Sequence, residues 1–184
     1  TETWANSYDD VISKDTFGQK NPEYREGVYV GYRYFDKCGK AVRFPFGHGL
    51  SYTTFEYSDL AVNGKNVSVK ITNTGTVSAS EVVQLYIAPP NGGIHRPAKE
   101  LKGFEKLELS PGETNTAEFT LDDRSFAIWH NGWKIPAGTY TIMVGASSAD
   151  IRLSANIEVD GEIVENNASA WYDTLDGSPT REDW

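Results

Sequence analysis

Alternation with a period of two residues runs through most of the chain between Phe55 and Val159, and it limits the fold more than any other feature. Val67, Val69 and Ile71 alternate with Ser68, Lys70 and Thr72, the pattern of a strand with one face buried. The run Glu81 to Ala88 (EVVQLYIA) places Val83, Leu85 and Ile87 on one face and Val82, Gln84 and Tyr86 on the other. Further strands are expected over Leu101 to Leu109, over Thr116 to Leu121 and through Tyr140, Ile142 and Val144. A last one carries Ile151, Leu153, Ala155, Ile157 and Val159. Asn73-Thr74-Gly75, Ser110-Pro111-Gly112 and Pro136-Ala137-Gly138 supply turn chemistry between them.

Roughly seven short strands separated by such turns predict an all-β fold, an antiparallel β-sandwich of the immunoglobulin or fibronectin type III kind. No long helical period interrupts the series, which excludes a parallel α/β sheet there. The inward set should include Val69, Ile71, Leu85, Ile87, Phe119, Ile142 and Val144.

The stretch FPFGHGLSYTTF, Phe44 to Phe55, joins this series to an aromatic arm upstream. Gly47 and Gly49 flank His48, where the backbone can take positive φ or pass close against another surface. The arm, 1–52, holds many aromatics but too little regular pattern for a core of its own. Its Tyr29, Tyr32, Tyr34 and Phe35 need partners elsewhere. At the other end, Ser178 and Pro179 followed by Glu182 and Asp183 write a helix start that runs out at Trp184. The chain therefore reads as a piece of a longer protein.

Composition narrows the function classes. A net charge of −9 over 184 residues opposes nucleic acid and anionic membrane surfaces, which need a basic footprint. No stretch approaches the roughly 20 apolar residues of a membrane span. The one cysteine, Cys38, cannot form an internal disulfide, which points to the cytoplasm while leaving the source compartment open. Asn66-Val67-Ser68 and Asn167-Ala168-Ser169 match the glycosylation sequon, which counts only in a secreted eukaryotic protein.

Few residues invite a chemical reading, and each has a structural counterpart. Asp122-Asp123 could be imagined as a carboxylate pair, but adjacent residues point apart and a solvated turn accounts for them. His48, His95 and His130 lack ligand spacing for a metal. Cys38, between Lys37 and Lys40, could have a lowered thiolate pKa, or DKCG could simply be a hairpin turn. Trp129 and Trp133 could form a sugar-stacking platform, or could fill the core or a domain interface. His48 could line the rim of a cleft or pack between domains.

VVQLYIAPP, followed by RPAKELKGFEKLELSPGET (Arg96 to Thr114) and IPAGTYTIMVGASSADIRLSANIEV (Ile135 to Val159), resembles the fibronectin type III-like domain of glycoside hydrolase family 3. TETWANSY, REGVYVGYRYFD and FPFGHGLSYTTF are similar to the end of that family's α/β-sandwich domain. The resemblance covers about Thr1 to Val159 and is closest to β-glucosidases, with β-xylosidases sharing much of it. It implies three parts: 1–52 from the α/β domain with a connecting loop, 53–159 as the sandwich, and 160–184 as a linker. Trp171 to Trp184 looks like an entry into a barrel domain in a permuted order.

The family's retaining chemistry needs two carboxyl groups about 5 Å apart, a nucleophile on a barrel domain and an acid/base usually on the α/β domain. Neither motif matches a position here, so no catalytic, cofactor-binding or metal-binding residue is assigned, and no cofactor is expected. The resemblance implies a noncatalytic domain that braces the catalytic domains of a β-glucosidase. A carbohydrate-binding module and a protein-binding adhesion domain are the other readings. Expected partners are the catalytic domains and, for the whole enzyme, a β-glucoside or oligosaccharide. Homo-oligomerisation stays open.

Overall fold

The computed structural model describes residues 28–90, 96–130 and 132–164. The helix start read at Ser178, the barrel-entry segment, His95, the second sequon and residues 1–27 of the arm lie outside them.

Within the described residues the alternating segments form seven strands of a two-sheet sandwich. They are β1 (Phe55–Asn63), β2 (Asn66–Asn73), β3 (Ala79–Ala88), β4 (Glu100–Leu109), β5 (Thr114–Thr120), β8 (Gly138–Gly145) and β9 (Ile151–Val159). One sheet has the order β1-β2-β5 and the other β4-β3-β8-β9. All their pairings are antiparallel. Two further strands, β6 (Ile128–Trp129) and β7 (Trp133–Lys134), make a separate hairpin.

The expected inward residues Val69, Ile71, Leu85, Ile87, Phe119, Ile142 and Val144 are all buried, joined by Val67, Val83, Leu107 and Leu109 from the facing strands. Burial of this apolar set, at about 25 cal/mol per Å², is the main force holding the sheets together. Tyr140, at the start of β8, closes one end. Its hydroxyl donates to the Pro136 carbonyl at 2.9 Å, the tyrosine corner typical of immunoglobulin-like sandwiches.

At the opposite end Asn73 is wholly buried and fully bonded. Its Oδ1 accepts from Thr53 Oγ1 at 2.6 Å and from Gly75 N at 3.1 Å, and its Nδ2 donates to the Val77 and Leu109 carbonyls at 2.9 Å. The turn chemistry read at Asn73 thus also fastens the end of β4. Four satisfied bonds are the full capacity of an amide side chain, so its burial costs little.

One departure from regular strand geometry lies in β1, where the register with β2 shifts between Ser58 and Ala61. Asp59 takes φ 50° in this bulge, a conformation that aspartate tolerates better than most residues, and pairs with Lys70 at 2.9 Å.

The arm contains a short helix, α1 (Tyr32–Lys37). DKCG, read as a hairpin turn, is its C-terminus. Gly39 at φ 60° lets its N–H reach the Asp36 carbonyl while the Lys40 N–H bonds Phe35 O at 3.0 Å, a Schellman cap. The same turn chemistry serves both motifs, and a six-residue helix does not persist alone in water. Packing selects the helix. Tyr29, Tyr34 and Cys38 bury against one another with Phe35 beside them, and Tyr32 packs edge-on to Tyr86 of β3.

Candidate docking surface

β3 is buried on both faces from Val83 to Ile87, which a half-buried alternating strand would not be. The second cover is the arm. Tyr32 stacks on Phe46 with centroids 4.7 Å apart, and its hydroxyl accepts the Leu101 N–H at 2.7 Å. The Ser148 N–H donates to the Phe46 carbonyl at 2.8 Å. Gly47, at φ 80°, passes so close that an added Cβ would sit 2.2 Å from Gln84 Oε1. Of the two glycines beside His48, Gly47 therefore serves both purposes foreseen for it. Gly49 serves neither, having ordinary φ and open space around it.

Beyond these fastenings the arm is exposed. Phe44, Leu50 and Tyr52 are 64%, 94% and 96% exposed, and Val42 and Phe46 are partly so. On the outer face of β4, Phe104 stands out beside Gln84, its cross-strand neighbour. The segment 44–52 thus puts Phe44, Phe46, Leu50 and Tyr52 at the surface within a short stretch of chain. His48 lies in the same loop, exposed, its ring 5.3 Å from that of Phe44.

A charged cluster adjoins the arm. Glu100 is met by Arg33 at 3.6 Å and by Arg96 and Lys102 at 3.4 Å, while Lys99 pairs with Asp36 at 2.8 Å. Four cations surround two carboxylates, a local positive excess in a chain whose net charge is −9. Arg33 Nε is buried there without a hydrogen-bond acceptor among the described residues. The cation cluster was not read from the sequence, whereas packing of the arm's aromatics on the sandwich was one of the ways left open for it. The signal for the second cover was present in β3 itself, where Val82 and Tyr86 put large apolar surface on the face opposite Val83, Leu85 and Ile87.

Asp122 caps the 3-10 turn Asp123–Ser125, and its hydrogen bonds with Ser125 hold its carboxyl below the usual range; Asp123 pairs with Lys65. They form a solvated turn and do not converge. Burial pushes the Cys38 thiol up to about 11, outweighing the pull of Lys40 and Lys37, so the lowered pKa considered for it is corrected. Trp129 and Trp133 are 69% and 51% exposed and pair edge-to-face across the β6–β7 hairpin, which corrects the core reading. The hairpin lies in the β5–β8 connection as a two-stranded sheet separate from the sandwich. Among the described residues no cluster of three or more His, Cys, Asp or Glu could hold a metal ion, and no helix is long and apolar enough to cross a membrane.

Between the sheets, Tyr57 of β1 donates to Glu81 of β3 at 2.7 Å, with Arg152 of β9 over the Tyr57 ring at 5.6 Å. Burial raises the Glu81 carboxyl pKa against the opposing effect of the Tyr57 hydrogen bond. Burial likewise raises the Tyr57 phenol, whose hydrogen bond to Glu81 adds to the effect.

Comparison with known proteins agrees with this architecture. The family of fibronectin type III-like domains matches residues 81–148. Thermostable beta-glucosidase B of Acetivibrio thermocellus is 47% identical over 152 residues, covering 77% of this chain and 20% of that protein. The exo-alpha-(1->6)-L-arabinopyranosidase of Bifidobacterium longum is 45% identical over 157 residues, covering 81% of this chain and 21% of that protein. Among solved structures, the GH3 beta-glucosidase of Bifidobacterium adolescentis superposes with a TM-score of 0.76 at 41% identity, covering 92% of this chain and 28% of that one. Beta-glucosidase 3B of Thermotoga neapolitana in complex with glucose gives 0.76 at 39% identity, covering 88% and 24%. The chain thus spans about a fifth of the length of the curated relatives it matches. Its sandwich is the fibronectin type III-like domain of glycoside hydrolase family 3.

Proposed function

We propose that this chain is a noncatalytic, bracing part of a retaining β-glucosidase, docking through the arm and the outer face of the β4-β3-β8-β9 sheet onto the catalytic domains. The observation that carries the reading is the arm itself. It is pinned to the sheet by the Tyr32 hydroxyl and by the Phe46 and Gly47 carbonyls, while the side chains of Phe44, Leu50 and Tyr52 stay open. A segment held that firmly by its own domain, with rings left to solvent, is suited to a rigid apolar contact with another domain. The relatives' β-glucosidase names, and the fifth of their length that the chain spans, support an enzyme as the whole protein.

The test is reconstitution. The chain alone should release no product from an aryl β-glucoside. Adding the separately expressed remainder of the protein should protect the arm from protease and give inhibitor-sensitive turnover. Turnover by the chain alone, or an arm cleaved equally fast with and without the remainder, would sink the reading. A second reading of the substrate, an α-L-arabinopyranoside, is favoured by the two arabinopyranosidases at 45% identity. An aryl-glycoside panel on the whole protein separates the two.

A further inference from the structure

The β6–β7 hairpin carries a group of side chains that neither the sandwich nor the docking arm uses. Trp129 and Trp133 face each other across it with ring centroids 5.5 Å apart and planes at 75°, forming an angled corner. The guanidinium of Arg124 lies over the Trp133 ring at 3.3 Å. A cross-strand contact explains why the indoles pair, and it contributes to holding so short a hairpin together. It does not explain why two tryptophans, the largest of side chains, leave 69% and 51% of their surface to water.

Arg124 is the second unusual member. It belongs to a chain with 26 acidic and 17 basic residues, yet among the described residues it makes no close ion pair, its charge acting on Asp122 only at longer range. Its N–H groups are spread in the plane of the guanidinium, which lies over the Trp133 ring. A flat apolar face set beside a planar fork of hydrogen-bond donors suits a pyranose. The C–H face of such a sugar stacks on the indole, and its ring and hydroxyl oxygens accept from the guanidinium. Nucleic acid presents similar stacking groups, but a net charge of −9 repels its phosphates.

We propose that Trp129, Trp133 and Arg124 form a binding site for a neutral polysaccharide, through which the whole enzyme stays on its polymeric substrate. The proposal rests on the reading of the parent protein as a glycosidase. It adds a binding site on a hairpin separate from the docking arm.

Affinity electrophoresis of the 184-residue chain in gels containing hydroxyethylcellulose or laminarin tests it, with albumin as the unretarded standard. The chain should be retarded, with quenching of its tryptophan fluorescence by the same polymers in solution. Trp129→Ala should weaken binding about tenfold or more, as removal of a central indole anchor does elsewhere. Because that change also loosens the hairpin, Arg124→Ala serves as the second variant. It leaves the Trp pair in place and should weaken retardation in a chain whose circular dichroism is unchanged. A wild-type chain that migrates freely in both polymers overturns the site, and so does retardation equal in all three proteins. Concentration-dependent quenching without polymer would show that the corner instead meets a second copy, and also overturns it. Glycosidase activity of the whole protein is measured separately. Activity without retardation removes the binding site and leaves the parent reading standing.

Discussion

The carboxamide of Gln84 is folded around the backbone of Gly47: its Nε2 donates to the Gly47 carbonyl at 3.3 Å and to the Ala146 carbonyl at 2.7 Å, while its Oε1 accepts the Tyr86 hydroxyl at 2.5 Å. This one amide joins the arm, the β8–β9 connection and the middle of β3. It is 4% exposed, so its bonds are made away from water and a lost partner is not easily replaced.

Gly47→Ala should accordingly destabilise the chain by about 1–3 kcal/mol, because alanine is strained at φ 80° and its methyl would strike Gln84. Gly49→Ala adds a methyl to open space and should change stability by less than about 0.5 kcal/mol. Denaturant melts of the two variants, with limited proteolysis of the arm, check this. Equal effects would mean that the arm is not held at Gly47.

Leu85→Ala removes a fully buried side chain from between the sheets and should cost about 2–5 kcal/mol. Lys70→Ala, on the open face of β2, removes only an exposed ion pair with Asp59 and should cost under about 0.5 kcal/mol. Thermal melts that shift equally would contradict the strand phase on which the whole sandwich rests.

Glu81 gives a pH dependence with a definite sign. Burial raises its carboxyl pKa in the folded chain, so folding favours the protonated form. Its contribution is then most favourable below the unfolded carboxyl's pKa, about 4.3, and is lost as pH rises through the higher folded value. Glu81→Gln retains an oxygen to accept from Tyr57 and removes the titration. The melting temperature of this variant, relative to the wild type, should therefore move in the variant's favour between about pH 4 and pH 7. A difference that is flat, or that moves against the variant, would show that the Arg152 guanidinium outweighs burial at this site.

The strands were legible because they depend on a local rule. With side chains pointing alternately to opposite faces, a sheet that buries one face must write that face into every second residue, as Val67-Val69-Ile71 and Tyr140-Ile142-Val144 do. Turn residues such as Asn73 and Gly138 mark the ends by their own backbone preferences, and the family wording of residues 81–148 followed from the same segments. The cap at Gly39 was visible as a turn. Whether a helix or a hairpin preceded it depended on Tyr86, far along the chain, and no local pattern reports that.

The sequence by itself determined the sandwich, its inward residues and its family. Only the tertiary structure decided what lies outside the sheets. The second cover on β3 and the Arg33–Glu100 pair arise from residues distant in sequence meeting in space, and the exposure of Phe44, Leu50, Tyr52, Trp129 and Trp133 depends on what the rest of the fold leaves uncovered. Alternation specifies that a face is apolar. It does not specify what covers that face, because burial by a strand, by an arm or by another domain imposes the same demand on each residue.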